Sequence, residues 1–241
     1  SLDGYDITID NALVVVSGFE PAYQSACYAS GGSSPYCALQ VRPDGFTDTS
    51  AANAITAWLA EPQNIAQLET FGADLNFEYV REVLQRPFSM RILANYQPHI
   101  YYRQPATPTV DMGDAAWGPN GLTASPSVQL TAFFAYEPTQ NLLVNLTEHW
   151  RNAMKESGIT GQVWLDNHVP SFGTTSLTVS YDLRKALGVG DSHLFVTVEN
   201  LFNTDSPPTS FYGKGSDAGY IYGFSDDPVG RYFTVGARLT F

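Results

Sequence analysis

The sequence is poor in positive charge, in cysteine and in long hydrophobic runs. It has 12 Lys and Arg against 24 Asp and Glu, and the resulting formal net charge of −12 has the wrong sign for a nucleic-acid-binding protein. No stretch approaches the ~20 apolar residues of a membrane-spanning helix. The N-terminus also lacks the basic and apolar regions of a signal peptide. We therefore expect a chain that is either cytosolic or begins downstream of its own targeting sequence.

Charged residues are scarce as well, at 15% of 241 residues, where roughly a quarter is usual for soluble domains. Apolar residues make up 44% and aromatic residues 13%, a load that excludes a disordered chain. The length fits one large domain or two small ones.

The two cysteines, Cys27 and Cys37, flank a segment rich in glycine and serine whose ends can easily meet. A disulfide there should stabilise the fold by about 2.5–3 kcal/mol in the chain-entropy model, and it would indicate an oxidising compartment. Two unpaired cytosolic thiols are the alternative. A zinc site is disfavoured, because no third cysteine exists and the four histidines are scattered.

Apolar and polar residues alternate with a period of two along most of the chain, which predicts about eight β-strands and little helix. In the clearest case the apolar positions run from Phe88 to Tyr96, followed by Ile100 and Tyr102. The other predicted apolar faces are Tyr5, Ile7 and Ile9, then alternate residues within 73–79, 128–136, 142–146 (followed by Trp150), 177–181, 194–198 and 233–241.

Two all-β folds fit this pattern: a soluble sandwich with its apolar faces buried, and a transmembrane barrel with its apolar face against lipid. Predicted strands of roughly 9–12 residues are long for a sandwich, and several carry an aromatic residue near one end. Short connections (81–87, 137–141, 182–191) also alternate with long ones (13–63, 104–126, 154–172, 204–229). Short turns on one side and long loops on the other are typical of outer-membrane barrels, so the pattern favours an antiparallel transmembrane β-barrel.

The C-terminal third then resembles a known family. Residues 194–203 (LFVTVENLFN), a loop containing proline, and residues 229–241 (VGRYFTVGARLTF) look like the end of a TonB-dependent outer-membrane receptor. Residues 4–9 (GYDITI), the cysteine loop and residues 68–75 (LETFGADL) are similar to the same receptors in the same order. The resemblance covers residues 1–241 as the C-terminal part of such a barrel.

The end of the chain carries a second resemblance. Gly236, Leu239 and Phe241 match the ending that the barrel-assembly machinery of the outer membrane recognises, whereas Val235 stands where a polar residue is preferred.

The resemblance implies a fragment of a larger barrel. Complete members have about 22 strands and a plugged lumen, but this sequence contains neither the plug domain nor a TonB box. An open sheet of eight strands would leave two unpaired edges in lipid. We therefore expect the plug and the N-terminal strands as partners, although closure as a small stand-alone barrel is an alternative.

By resemblance, the whole protein would take up a scarce nutrient across the outer membrane of a Gram-negative bacterium. Its substrate would be a siderophore, cobalamin or an oligosaccharide, and its energy would come from the TonB–ExbB–ExbD complex through the plug. A secreted soluble sandwich with a binding or adhesive role is the alternative from another class. No catalytic constellation, cofactor motif or metal motif is found, so we expect no enzyme.

Candidate ligand contacts are aromatic residues of the long loops, because exposed aromatic rings often mark binding surfaces. They are Trp117, Tyr212, Tyr220, Tyr222 and Phe224. The adjacent Asp226 and Asp227 fit a solvated turn better than a calcium site. Six charged residues are predicted to face the lumen and to form ion pairs with the barrel wall or the plug: Asp74, Glu78, Arg91, His99, Arg103 and Arg151.

Overall fold

The computed structural model describes residues 1–118, 125–159, 166–184, 192–210, 220–222 and 226–239. Eight long strands dominate these ranges and pair in chain order, each antiparallel to the next. They are β1 (Leu2–Ser17), β2 (Ala60–Val83), β3 (Arg86–Arg103), β4 (Val128–Thr139), β5 (Leu142–Arg151), β6 (Phe172–Asp182), β7 (His193–Glu199) and β8 (Tyr232–Arg238). The prediction of an antiparallel all-β fold with about eight strands is confirmed. The sheet is open, with β1 and β8 at its two ends.

The remaining regular elements are short and lie in the connections. One α-helix, α1 (Pro21–Ala29), and two 3-10 helices (Pro35–Leu39, Ala51–Asn53) follow β1. Short strands are Gln40–Val41, Ala57–Trp58, Val110–Asp111, Ala115–Trp117, Lys155–Ser157, Pro208–Ser210 and Tyr220–Tyr222. Within the described ranges, no helix combines the length and the hydropathy needed to span a bilayer.

The connections at the two ends of the strands differ sharply in length. At one end, β2 and β3 are joined by Leu84 and Gln85 alone, both at positive φ (54° and 61°), as a type I′ hairpin turn requires. Residues 140–141 join β4 to β5 at the same end, and residues 183–192 join β6 to β7. The long connections at the opposite end are 18–59, 104–127, 152–171 and 200–231. The predicted alternation of short turns and long loops is confirmed.

The two faces of the sheet differ in polarity over most of its width. One row of residues that pair with each other across neighbouring strands consists of Tyr79, Met90, Phe134, Leu146, Leu177, Val198 and Phe233. We call the side that bears this row the apolar face and the other side the polar face. Phe77 and Val235 of the apolar face are 43% and 77% exposed, so this surface is not the buried interior of a sandwich.

A β-bulge reverses the side-chain pattern of β3 near its end. Phe71 pairs with His99 and Ala73 with Tyr96, so Gln97 and Pro98 together oppose Gly72. Because successive strand residues point to opposite sides, one extra residue moves every later side chain to the other face. The prediction that Ile100 and Tyr102 continue the apolar face is therefore wrong, and so is the prediction that His99 and Arg103 lie on the polar face.

The register corrects one further side-chain assignment and places one residue that the alternation leaves unassigned. Tyr5 pairs with Gly72 and Ile7 with Thr70, so the predicted apolar side of β1 lies on the polar face. Glu148 pairs with Thr175 and lies on the apolar face, where it accepts a hydrogen bond from the Thr175 hydroxyl.

Residues 18–59, which we call the loop cap, pack beside the ends of β1, β2 and β3. The core formed there is apolar and tightly buried, because Tyr102 and Ala66 are only 3% and 1% exposed. Its buried members are Val14, Val16, Tyr23, Leu39, Ala66, Tyr102, Val110 and Met112. This core includes residues of the polar-face side beyond the bulge, so the loop cap is held on that side of the sheet.

Candidate functional site

A groove of ≈ 510 Å³ opens on the polar face, where β4, β5 and β6 approach the long loops. Its lining is rich in hydroxyl, amide and imidazole groups, with one carboxylate from the end of β7. The strand residues of the polar face that line it are Gln129, Thr131, Thr147, His149, Thr174, Ser176, Thr178 and Glu199. These side chains share one face because they alternate with the apolar positions on each strand. We call this cavity the polar groove.

A buried ion pair closes one side of the polar groove. Arg151 Nε donates to Asp226 Oδ1 at 2.7 Å, and Arg151 Nη2 donates to Asp226 Oδ2. Both residues are buried, at 4% and 6% exposure. Arg151 Nη1 also donates to the carbonyl oxygens of Asn152 and Pro170, at 2.9 Å and 2.8 Å. The pair thus fastens the last long loop to the end of β5.

This geometry changes the interpretation of the acidic pair in the last loop. Asp226 neither lies in a solvated turn nor faces a calcium site, because the bidentate contact occupies its carboxylate. Asp227 is exposed, and its Oδ1 accepts a hydrogen bond from Val229 N at 2.8 Å, as in a turn. In the described ranges, no group of three or more His, Cys, Asp or Glu residues is arranged to hold a metal ion.

A second junction joins two of the long loops. Asp114 Oδ1 accepts hydrogen bonds from Ser127 N and Asn152 Nδ2, both at 2.7 Å, and the Asp114 carbonyl accepts one from Lys155 N at 2.6 Å. Burial by itself would raise the pKa of Asp114. The hydrogen bonds from Asn152 and Ser127, together with the positive charge of Lys155, outweigh burial and hold that pKa below its usual value.

A disulfide, cation–π contacts and hydrogen bonds stabilise the loop cap from within. Cys27 and Cys37 form a disulfide with a Cα–Cα distance of 5.0 Å, which confirms the pairing favoured by the sequence. The Arg42 guanidinium lies 5.8 Å from the ring centroids of both Tyr28 and Phe46, and Arg42 Nη2 donates to Tyr28 Oη at 2.8 Å. Asn53, 2% exposed, donates to the carbonyl oxygens of Gly45 and Asp48.

The charged residues predicted to face a lumen have varied partners. On the polar face, Asp74 Oδ1 accepts from Asn95 Nδ2 at 2.8 Å, and Arg91 Nε donates to Asn76 Oδ1 at 3.2 Å. These two charges are therefore bound by amide groups. Glu78 lies directly across from Arg91 in the pairing of β2 with β3.

His99 and Arg103 do have acidic partners, but on the side of the sheet continuous with the apolar face. His99 Nδ1 lies 2.6 Å from Asp111 Oδ2, and Arg103 Nη1 contacts Glu69 Oε2. The His99 ring stacks on Tyr101 with centroids 5.2 Å apart and an interplanar angle of 9°. The Arg103 guanidinium also lies over the Tyr101 ring, 5.2 Å from its centroid.

Of the aromatic ligand-contact candidates, Trp117 is half-buried in a parallel ladder, opposite Ser157. Tyr220 and Tyr222 belong to the short strand that pairs with Pro208–Ser210. Tyr212 and Phe224 lie outside the described residues, as does Phe241 of the C-terminal signal. Gly236 lies on β8 opposite Phe195, and Leu239 is 53% exposed. Contact of any of these residues with a ligand stays a prediction.

Sequence reasoning missed the junction of Asp114, Ser127 and Asn152. Its members come from two loops without periodic pattern, and Asp114 and Asn152 are 38 residues apart. Single loop residues of these types are common, so no local signal distinguishes them.

Comparison with known proteins adds a distant structural likeness. No protein-family model matches the chain, and no curated protein matches it. Among solved structures, it is similar to the ferric-catecholate import receptor Fiu from E. coli K12 in its closed form, with a TM-score of 0.37 and 15% identity. The match covers 93% of this chain and 32% of that receptor, so the chain spans about a third of the receptor's length.

Proposed function

We propose that the chain is part of the wall of an outer-membrane receptor barrel, with its apolar face against lipid and its polar face toward an enclosed lumen. The observation that carries this proposal is the exposed apolar face. Phe77, Val196 and Phe233 are 43%, 43% and 67% exposed on one continuous side of the sheet. Apolar surface of this extent requires an apolar neighbour, and a bilayer supplies one along the whole width of a sheet.

The asymmetry of the connections supports an orientation. The end of the strands that bears the long loops carries the loop cap with its disulfide, and disulfides persist in oxidising compartments. The long loops then face the cell exterior and the short turns face the periplasm, as in other outer-membrane barrels.

The open sheet supports a larger barrel. Within the described residues, β1 has 16 residues and β8 has seven, so these parts of the two end strands are poorly matched for pairing with each other. Unpaired backbone groups in lipid cost several kcal/mol each. Further strands of the same receptor would satisfy both edges, whereas the stand-alone small barrel would have to join β1 directly to β8.

The transport role rests on the sequence resemblance to TonB-dependent receptors. In this proposal the polar groove faces the plug or a bound nutrient, because it lies on the lumen side near the outer loops. Its hydroxyl and amide lining suits a polar ligand. The assembly machinery would recognise the C-terminal strand, and TonB with ExbB and ExbD would act through the plug.

Site-directed spin labelling tests the membrane part of this proposal on the complete receptor in lipid vesicles. Cys27 and Cys37 are bonded to each other, so a single cysteine introduced within residues 1–241 is the only free thiol in that part of the receptor. Val144→Cys and Asn145→Cys are a matched pair, adjacent on β5 and pointing to opposite faces. We expect the label at 144 to be accessible to oxygen and protected from a water-soluble nickel chelate, and the label at 145 to show the reverse preference.

A label at 144 that collides freely with the nickel chelate would contradict a lipid-facing apolar side. Nutrient uptake is a separate measurement. Cells with the receptor gene deleted should lose growth on one scarce nutrient, and the complete gene should restore it.

A further inference from the structure

The polarity of both sides of the β2–β3 hairpin inverts at the bulge. Between the short turn and the bulge, β2 presents Leu75 and Phe77 on the apolar face and Asp74 and Asn76 on the polar face. Beyond the bulge the side continuous with the apolar face carries Glu69, Gln67 and Arg103. The opposite side there carries Leu68, Ile100 and the buried Tyr102, which pack in the core beneath the loop cap.

This inversion has a simple physical meaning if the sheet crosses a bilayer. A segment with its outward side apolar and its inward side polar suits lipid outside and a wet lumen inside. A segment with the reverse arrangement suits water outside and a packed protein core inside. The change from one to the other therefore marks the level at which the surroundings of the barrel change from hydrocarbon to water.

The distance between charged positions on β2 agrees with a bilayer. On its outward side, the apolar stretch lies between Arg81 near the short turn and Glu69 beyond Phe71. The ends of the apolar stretch, Phe71 and Tyr79, are eight positions apart, and the flanking charged residues, Glu69 and Arg81, are 12 positions apart, which at about 3.4 Å per residue is about 27 Å and 41 Å of strand. At a strand tilt of about 40°, these lengths correspond to heights of about 21 Å and 31 Å, which bracket the height of about 25 Å of the apolar band of outer-membrane barrels.

The side chains at this level suit a headgroup layer. Phe71 contacts the His99 ring at 5.7 Å between centroids, His99 stacks on Tyr101, and Arg103 covers Tyr101. We call Phe71, His99, Tyr101 and Arg103 the girdle stack. It grades from an apolar ring beside the apolar face to Arg103 farthest from it, where Glu69 pairs with Arg103 and Asp111 with His99. Amphipathic rings and long cationic side chains favour the zone between hydrocarbon and water.

We propose that the outer boundary of the hydrocarbon layer crosses this hairpin at the Gly72–Pro98 bulge, and that the girdle stack binds the polar headgroups of outer-leaflet lipid. This inference rests on the proposed function, because it needs the apolar face to lie in a bilayer. It adds a defined depth and names the residues that meet the headgroups.

Depth measurement with single spin labels on the complete receptor in outer-membrane lipid tests the boundary. Labels are placed at Leu75, Phe71 and Gln67, which lie on the same side of β2. We expect the ratio of oxygen to nickel-chelate collisions to be high at 75, intermediate at 71 and low at 67. A high ratio that persists at 67, or a low ratio already at 75, would overturn the proposed boundary.

These outcomes are distinguishable from failure of the proposed function, which would show as nickel access at Val144→Cys in the middle of β5. If labels at 75 and 67 are both shielded from oxygen and nickel, a protein partner covers this side and the lipid assignment is wrong.

Lipid retention tests the headgroup contact. The double variant His99→Gln with Arg103→Gln should carry at least twofold less outer-leaflet glycolipid after purification in mild detergent. Arg81→Gln is the matched control, because Arg81 lies on the same side of β2 at the opposite end of the apolar stretch. Equal glycolipid content in the double variant and the control would overturn the role of the girdle stack.

Discussion

The ring of Tyr5 on β1 lies directly over Gly72 on β2, its partner in the strand pairing. A Cβ atom on Gly72 would lie 2.6 Å from Tyr5 Oη and 2.7 Å from Tyr5 Cζ, and would also clash with the Tyr96 carbonyl oxygen. The hydroxyl of Tyr5 reaches past β2 and accepts a hydrogen bond from Asn95 Nδ2 at 3.2 Å. Glycine at this position therefore lets one aromatic ring connect three strands at the level of the bulge.

Gly72→Ala should destabilise the sheet, because the added methyl group displaces the Tyr5 ring and the backbone of β3. Overpacking of this kind costs about 1–3 kcal/mol. Gly4→Ala is the control, since the nearest atom to a Cβ there is the Gly72 carbonyl oxygen at 3.9 Å. Urea unfolding followed by tryptophan fluorescence measures both, and equal unfolding free energies would contradict the contact.

Arg151→Met should be strongly destabilising, because it leaves the Asp226 carboxylate buried without its cation. Removing one partner of a buried pair costs about 3–5 kcal/mol. Arg103→Gln is the comparison, since its pair with Glu69 is about one-third exposed and such pairs contribute about 0–1 kcal/mol. The double variant Arg151→Met with Asp226→Leu should recover part of the loss. A single variant as stable as the native protein would show that the pair does not hold the last loop.

The junction at Asp114 should weaken in acid. Its pKa is lowered in the folded protein, so its stabilising contribution is present above the ordinary value of about 3.9. That contribution is lost as the pH falls through the lower, folded-state pKa. Hydrogen exchange of the Ser127 and Lys155 amides between pH 5 and pH 2 should rise in the native protein, after correction for the intrinsic pH dependence. In Asp114→Asn the protection should already be reduced at pH 5 and change less with pH.

Tyr23→Phe should leave the stability of the loop cap unchanged or raise it. The Tyr23 hydroxyl is buried and has no hydrogen-bond partner among the described residues, and an unsatisfied buried group is costly. Tyr102→Phe is the matched control. It removes a hydrogen bond to Gln104 Oε1 at 2.8 Å and should cost about 0.5–1.5 kcal/mol.

The same tyrosine predicts sensitivity to alkali. Burial, followed by the neighbouring Tyr36, Tyr102 and Glu20, raises the pKa of Tyr23 to about 12. The unfolded loop therefore loses this proton first, near pH 10, and stability falls between about pH 10 and pH 12. Tyr23→Phe should remove that part of the decline. An unchanged alkaline transition in the variant would contradict the assignment.

Replacing Cys27 and Cys37 by serine should destabilise the loop cap by about 2.5–3 kcal/mol, because a short loop is no longer closed in the unfolded state. The main sheet should persist, since its strands pair independently of the bridge. Mass spectrometry of the native protein without reductant should find both thiols blocked. Limited proteolysis should cleave residues 18–59 faster in the variant, and an unchanged cleavage rate would contradict a stabilising bridge.

Much of the fold was predictable because the pleat of a strand imposes a local period of two. Apart from Ile100 and Tyr102 beyond the bulge, the predicted apolar positions that β2 through β8 contain share one face, including Phe77, Val144 and Val235. The disulfide was predictable because its cysteines are ten residues apart in a turn-rich segment.

The errors have one physical source. Strict alternation takes no account of the extra residue at Gln97 and Pro98, which moves the side chains of His99, Ile100, Tyr102 and Arg103 to the opposite faces of the sheet. The face of β1 was misjudged for a related reason. Tyr5 and Ile7 alternate with polar residues in the same way whether their side chains face lipid or the side of the sheet that bears the loop cap.

The sequence by itself determined the strands, the alternating lengths of their connections and the cysteine pairing, since each depends on residues close together in the chain. Only the tertiary structure decided where the bulge inverts the two sides, that Asp226 binds Arg151 and that Asp114 joins two loops. Those features depend on register and on contacts between distant segments, where a shift of one residue exchanges the inside of the sheet for the outside.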